Sequence, residues 1–120
     1  MKLDEVSCVQ VKFDEVLCIL GNRDQVRGYK LLQAIATRIS YARAKHPVFA
    51  IDEEQAVDVV GSEWGELRSA VENHEGPQRV FDESLDVIAT AVRMASREWE
   101  ENADAIRAIQ ATSGNGEIGW

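Results

Sequence analysis

The sequence predicts an all-α fold, a helical bundle of four to five helices within one domain over residues 1–111 that is completed by homo-oligomerisation. Apolar residues recur at helical spacing through most of the chain. Both prolines fall in short breaks, His46-Pro47-Val48-Phe49-Ala50 and His74-Glu75-Gly76-Pro77. No segment argues firmly for a sheet, so the breaks separate helices.

These breaks and the cap residues set the order of the elements. Gly21-Asn22 marks a further boundary, with Asn22 or Asp24 as the N-cap of the helix that follows. The first segment has apolar residues at helical spacing, although residues 9–13 also alternate like a strand. The expected helices cover 3–20, 22–45, 52–74, 78–99 and 100–111, followed by a flexible tail over 112–120.

Charge and hydropathy exclude some classes of function. Thirteen basic residues stand against twenty-one acidic ones, a net charge of −8, so we expect no binding to a nucleic-acid backbone. No apolar run reaches the roughly 20 residues of a membrane span, so no membrane partner is expected. The N-terminal segment Met1-Lys2-Leu3-Asp4-Glu5 places acids where a secretory signal would be apolar, which predicts a cytoplasmic protein.

Four carboxylates are placed where a helical bundle does not favour them. The predicted core face of helix 52–74 is apolar and includes Val60, Trp64, Leu67 and Val71. Glu63 falls inside that arc and Glu66 at its edge. Helix 78–99 is apolar on two sides, which predicts a position between neighbours or in a subunit interface, and it carries Glu83 and Asp86. Each pair is spaced i, i+3, so its members lie on one face about a turn apart.

Buried carboxylates need pairing with Arg or Lys, protonation, or a cation. Solvated or salt-bridged faces are therefore the competing interpretation. Two such pairs on packed helices would place four carboxylates around one point, and oxygen ligands of this kind suit Mg²⁺ or Mn²⁺ better than zinc. A di-iron bundle would need Glu-x-x-His, and neither His46 nor His74 has a Glu three residues before it.

Two segments, Ser62-Glu63-Trp64-Gly65-Glu66-Leu67 and Asp82-Glu83-Ser84-Leu85-Asp86-Val87, together resemble the motifs of the MazG-like nucleotide pyrophosphohydrolases. That family's pattern is Glu-x-x-Glu, a gap of about a dozen to some thirty residues, then Glu-x-x-Asp. Sixteen residues separate Glu66 from Glu83 here, and the resemblance covers about residues 25–98.

The resemblance implies an all-α bundle completed as a dimer or tetramer, with Glu63, Glu66, Glu83 and Asp86 as Mg²⁺ ligands. It implies hydrolysis of a nucleoside triphosphate to the monophosphate and pyrophosphate, with Glu63 or Glu66 orienting or deprotonating the attacking water. The alternative is a catalytically inactive bundle that binds a nucleotide or a protein partner, and a more remote one is a purely structural oligomeric module.

The chain departs from the family pattern at Ser62, where members often have Glu, and at Arg93, where many have Asn. Arg93 is expected either to pair with Asp86 or to meet a substrate phosphate. Helix 22–45 is rich in basic residues, and Lys30 is a second candidate for contact with the substrate. The competing interpretation is that basic residues such as Lys30 and Arg38 form a solvated face opposite the apolar stripe.

Overall fold

The computed structural model describes residues 12–101, and in this range it contains five helices and no strands. They are α1 (Phe13–Leu20), α2 (Gln25–Lys45), α3 (Glu53–Glu72), α4 (Pro77–Ala95) and α5 (Glu98–Glu101). The predicted all-α class is confirmed for these residues. None of the five helices is both long enough and apolar enough to cross a membrane. The predictions for residues 3–11 and 102–111 and for the tail over 112–120 lie outside the described range.

The described residues fall into two compact units, 12–36 and 37–101, with the boundary inside α2. In the first unit α1 and α2 approach each other closely at Gly28, where a Cβ atom would overlap the backbone carbonyl of Leu17. The N-terminus of α2 is capped by Asp24, whose Oδ1 atom accepts a hydrogen bond of 3.1 Å from the backbone N–H of Arg27. Of the two predicted caps, Asp24 is therefore the one that bonds to the helix.

In the second unit a reciprocal pair of hydrogen bonds starts α3. Asp52 Oδ1 accepts from the backbone N–H of Gln55 at 2.8 Å, and Gln55 Oε1 accepts from the N–H of Ile51 at 2.9 Å. This is a variant of the capping box, because Gln55 reaches the N–H of the residue before the N-cap rather than that of the N-cap itself, and two backbone donors at the start of the helix are satisfied. It fixes the start of α3 and hence the register of the glutamates that follow.

The short connection between α3 and α4 makes them a helical hairpin. His74 has a left-handed backbone (φ 53°), as does Gly76 (φ 101°), and these conformations end α3. Pro77 then takes the first position of α4, where its missing N–H costs nothing. The two helices pack against each other, so the carboxylates of α3 and α4 lie on neighbouring elements.

The helix predicted over 78–99 is shorter than expected, and this prediction was wrong at its C-terminus. The α4 helix ends at Ala95, and Arg97 has a left-handed backbone (φ 57°) that starts a new direction of the chain. The short α5 follows and places Trp99 in the core. That core consists of Phe49, Ala50, Ala56, Val59 and Trp99, with Met94 packed against it.

The buried face of α3 is also rotated from the predicted one. Its buried residues are Ala56, Val59 and Ala70, whereas Trp64 is 55% exposed and Val71 is exposed as well. The small alanine side chains allow a close approach to neighbouring elements that Trp64 would prevent. The rotation brings Glu63 nearer to the centre of the buried arc.

Candidate metal centre

The four predicted carboxylates come together between α3 and α4. Glu63, Glu83 and Asp86 each offer an oxygen atom that lies within 4.8 Å of the corresponding atoms of the other two. The fourth, Glu66, lines the same cavity, and its charge acts on both Glu63 and Glu83. The i, i+3 spacing on each helix, combined with the hairpin, therefore gathers two pairs into one cluster.

Glu83 is the most deeply buried member of the cluster, with 3% of its surface exposed. Its Oε1 atom forms a salt bridge of 2.7 Å with Arg79 Nη2, one turn earlier on α4. Among the described residues, its Oε2 atom has no hydrogen-bond partner. A buried carboxylate oxygen without a partner is costly, and a proton, an ordered water or a bound ion at this atom would offset the cost.

Burial and the closeness of the carboxylates raise the pKa values of two members of the cluster. Burial raises the pKa of Glu63 to about 7, and the charges of Glu66, Asp86 and Glu83 act in the same direction. Burial also raises the pKa of Glu83, with contributions from Glu66 and Asp86, although the charge of Arg79 opposes it. Without a cation, the cluster is therefore stabilised by binding protons.

Arg38 of α2 lies beside this cluster and was not among the predicted site residues. Its Nη1 atom donates to Asp86 Oδ1 at 2.6 Å and to the backbone carbonyl of Asp82 at 2.9 Å. Its Nη2 atom donates to Asp82 Oδ1 at 3.4 Å. The expectation that Arg38 belongs to a solvated face is wrong, because only 24% of its side chain is exposed.

A cavity of about 340 Å³ opens next to the carboxylates. Its remaining wall carries basic and aromatic side chains from the C-terminal part of α2 and the residue after it, Arg38, Tyr41, Lys45 and His46. The Lys45 ammonium lies 5.8 Å from the centroid of the Tyr41 ring, a cation–π distance. Ala42, Ala89 and Thr90 complete the lining and leave room because they are small. One cavity is thus lined by both carboxylates and basic side chains.

The charges around the cluster are negative on balance. Arg38 pairs with Asp86 and Asp82, and Arg79 pairs with Glu83 and Glu75, so two arginines are shared among four carboxylates. Glu63 and Glu66 add two further acids beside them. Oxygen-only ligands and a negative surrounding fit Mg²⁺ or Mn²⁺.

The structure corrects the expectations for Arg93. Its side chain is 0% exposed, its Nε atom donates to Glu98 Oε1 at 2.8 Å, and its terminal nitrogens donate to the backbone carbonyls of Ala42 and His46. A side chain with no exposed surface cannot contact a substrate phosphate in this conformation. Arg93 contacts the carboxylate of Glu98, and Asp86 is instead contacted by Arg38.

Lys30 is an exposed residue of α2 in the first unit. Its contact with the substrate stays a prediction. Ser62, the other departure from the family pattern, is exposed on α3, next to Glu63.

Comparisons of the chain with protein-family models, with curated proteins and with solved structures find no match.

Proposed function

We propose that this chain is a Mg²⁺-dependent hydrolase that converts a nucleoside triphosphate to the nucleoside monophosphate and pyrophosphate. The observation that carries the proposal is the cluster of Glu63, Glu83 and Asp86, with Glu66 lining the adjoining cavity. Within residues 12–101, the buried Glu83 Oε2 atom of this cluster has no hydrogen-bond partner. The motif resemblance to the MazG-like family supplies the reaction. Mn²⁺ is the natural substitute for Mg²⁺ at such a site.

The residues fit a divalent cation by their chemistry. All four are carboxylates, two arginines limit their mutual repulsion, and burial together with the charges of Glu66, Asp86 and Glu83 raises the pKa of Glu63. A bound Mg²⁺ would supply charge neutralisation of the triphosphate and activation of a water molecule. Asp86, Glu83, Glu63 and Glu66 are the residues that would hold it.

The reaction assigns the following roles to this chain's residues. Glu63 or Glu66 orients the attacking water and accepts its proton, which then passes to solvent. The water oxygen forms a bond to the α-phosphorus, and the bond from that phosphorus to the oxygen bridging the α- and β-phosphates breaks. Pyrophosphate leaves with the bridging oxygen. The basic side chains that line the cavity, among them Lys45 and His46, suit the phosphates of the same substrate.

We also propose that the chain works as a homodimer or tetramer. Large apolar side chains are exposed on both helices of the hairpin, among them Trp64 and Val71 on α3 and Phe81 on α4. A second copy of the chain would remove this surface from water. Sedimentation equilibrium at micromolar concentration tests it, and a monomer there would contradict it. Trp64→Glu should then lower the association constant.

Release of pyrophosphate from a panel of nucleoside triphosphates tests the activity. We expect turnover with Mg²⁺ and none after chelation. Asp86→Asn and Glu66→Gln should each lower turnover by about 10²-fold or more, because each removes charge that acts in the transition state. Asp58→Asn is the matched control, since Asp58 is an exposed carboxylate of α3 outside the cluster.

The alternative is an inactive bundle that binds a nucleotide or a protein partner. Its specific support is Arg93 in place of the family's Asn, and the buried contact with Glu98 gives Arg93 a structural reason to be there. The panel decides between the two. If Mg²⁺ raises the melting temperature but no triphosphate is hydrolysed, the binding module is the better reading.

A further inference from the structure

Arg38 makes three hydrogen bonds to a single turn of α4. Two of them go to Asp82, through its backbone carbonyl and its Oδ1 atom, and the third goes to Asp86 Oδ1. In an α-helix the carbonyl of residue 82 also accepts from the N–H of residue 86. The guanidinium is therefore attached to the backbone of the same turn that presents the Asp86 carboxylate.

This attachment does not depend on the charge state of Asp86. A backbone carbonyl accepts whether or not a cation is nearby, so Arg38 stays in place when Asp86 changes partner. A carboxylate has lone pairs on both oxygens, and Asp86 can accept from Arg38 while it ligates a cation. The planar fork of arginine suits this arrangement, whereas lysine offers a single point charge.

The geometry points to Arg38 as a positioning residue of the metal site. It fixes the orientation of Asp86 relative to Glu63 and Glu83, and so preorganises the carboxylate for a divalent cation. The inference rests on the proposed metal site. That site has support beyond its acidic residues in the buried Glu83 Oε2 atom, which has no hydrogen-bond partner in the described range.

The charge of Arg38 and its positioning role predict opposite effects of its removal on cation affinity. A positive charge beside a cation site repels the incoming cation, so its removal should tighten binding if charge were the whole effect. If Arg38 positions Asp86, its removal should weaken binding. Outer-shell partners of metal ligands are commonly worth 10- to 100-fold in affinity.

The test uses the full chain with Mn²⁺ alone, and the electron paramagnetic resonance signal of free Mn²⁺ gives the dissociation constant. We expect about tenfold or weaker binding in Arg38→Met and also in Arg38→Lys, which keeps the charge but loses the fork. Competition with Mg²⁺ should show the same order. Arg43→Met is the matched control, because Arg43 is on the same helix but pairs with Glu98. It should leave the dissociation constant unchanged.

Each outcome has a distinct meaning. Tighter binding in Arg38→Met, or unchanged binding in both variants with a lower melting temperature, would overturn the positioning role and leave the metal site standing. If Arg38→Met does not fold, Arg38→Lys decides alone: weaker binding supports the role and equal binding overturns it. Absence of Mn²⁺ binding by the unaltered protein would overturn the proposed site, and the role of Arg38 with it.

Discussion

Arg93 and Glu98 form a salt bridge of 2.8 Å in which the arginine is fully buried and the glutamate is 7% exposed. The guanidinium also lies 5.1 Å from the centroid of the Phe49 ring. Arg43 donates two further hydrogen bonds to Glu98 Oε2, at 2.7 and 3.0 Å. The Glu98 carboxylate therefore joins the end of α4 to the end of α2, and the Arg93 guanidinium joins α4 to the loop after α2.

Loss of that carboxylate should destabilise the fold. Glu98→Gln removes the negative charge that Arg93 and Arg43 contact, while the volume of the side chain is kept. We expect a loss of about 3 kcal/mol in the free energy of unfolding, the range found when one partner of a buried ion pair is removed. Urea denaturation measures it. Glu100→Gln is the control, since the Arg97–Glu100 pair is exposed and should contribute nothing measurable. Equal effects of the two substitutions would contradict the structural role.

Glu98 should also affect how the stability of the protein changes at acidic pH. Burial alone would raise the pKa of Glu98, but the hydrogen bonds and charges of Arg43 and Arg93 hold that pKa below its ordinary value of 4.5. A lowered pKa in the folded state contributes stability above pH 4.5, which is lost as pH falls through the folded value. We expect the melting temperature to drop on acidification less steeply in Glu98→Gln than in the unaltered protein.

Glu63 should act in the opposite direction in the absence of metal. Its pKa is raised from 4.5 to about 7, so the folded state retains a proton that the unfolded state has released. Stability of the metal-free protein should therefore fall as pH rises from about 4.5 to 7. Glu63→Gln should flatten this part of the curve. Mg²⁺ should stabilise the unaltered protein most at the alkaline end, and a pH-independent effect of Mg²⁺ would count against Glu63 as a ligand.

Two glycine substitutions should have opposite signs. Gly28→Ala places a Cβ atom into the backbone carbonyl of Leu17, so the gain in helix propensity of about 1 kcal/mol is outweighed by overpacking. Gly61 lies on the exposed side of α3 with no atom within 4 Å of an added Cβ. Gly61→Ala should therefore stabilise the protein by up to about 1 kcal/mol. Thermal unfolding of both variants checks this, and stabilisation by Gly28→Ala would show that the helices can separate at no cost.

The sequence contains enough information for the helices and for the carboxylates. Pro47 follows the end of α2 and Pro77 begins α4, so local signals of this kind mark the breaks between helices. The four acids could be found because i, i+3 spacing fixes a shared face on each helix. The buried face of α3 could not be predicted as accurately. Apolar residues surround much of that helix, and the small side chains of Ala56 and Ala70 decide which side packs.

The partners of Arg38 and Arg93 could not be predicted from the sequence. The partner of Arg38 is distant along the chain, and the partner of Arg93 follows a break in the helix. Arg38 bonds to Asp86 across 48 positions, and Arg93 reaches Glu98 because α4 ends at Ala95. A partial signal was present for Arg93. Residues 83, 86, 90 and 93 recur at helical spacing, so Glu83, Asp86, Thr90 and Arg93 form a polar line along α4.

The bond that breaks in the proposed reaction gives the last prediction. Attack on the α-phosphorus transfers the water oxygen to the nucleoside monophosphate, whereas attack on the β-phosphorus transfers it to pyrophosphate. Hydrolysis in ¹⁸O-labelled water, followed by mass spectrometry of both products, separates the two routes. We expect the label in the monophosphate alone, with no diphosphate or orthophosphate formed. Label in pyrophosphate would be compatible with a metal site at the carboxylate cluster, but it would show that water attacks the β-phosphorus and not the α-phosphorus.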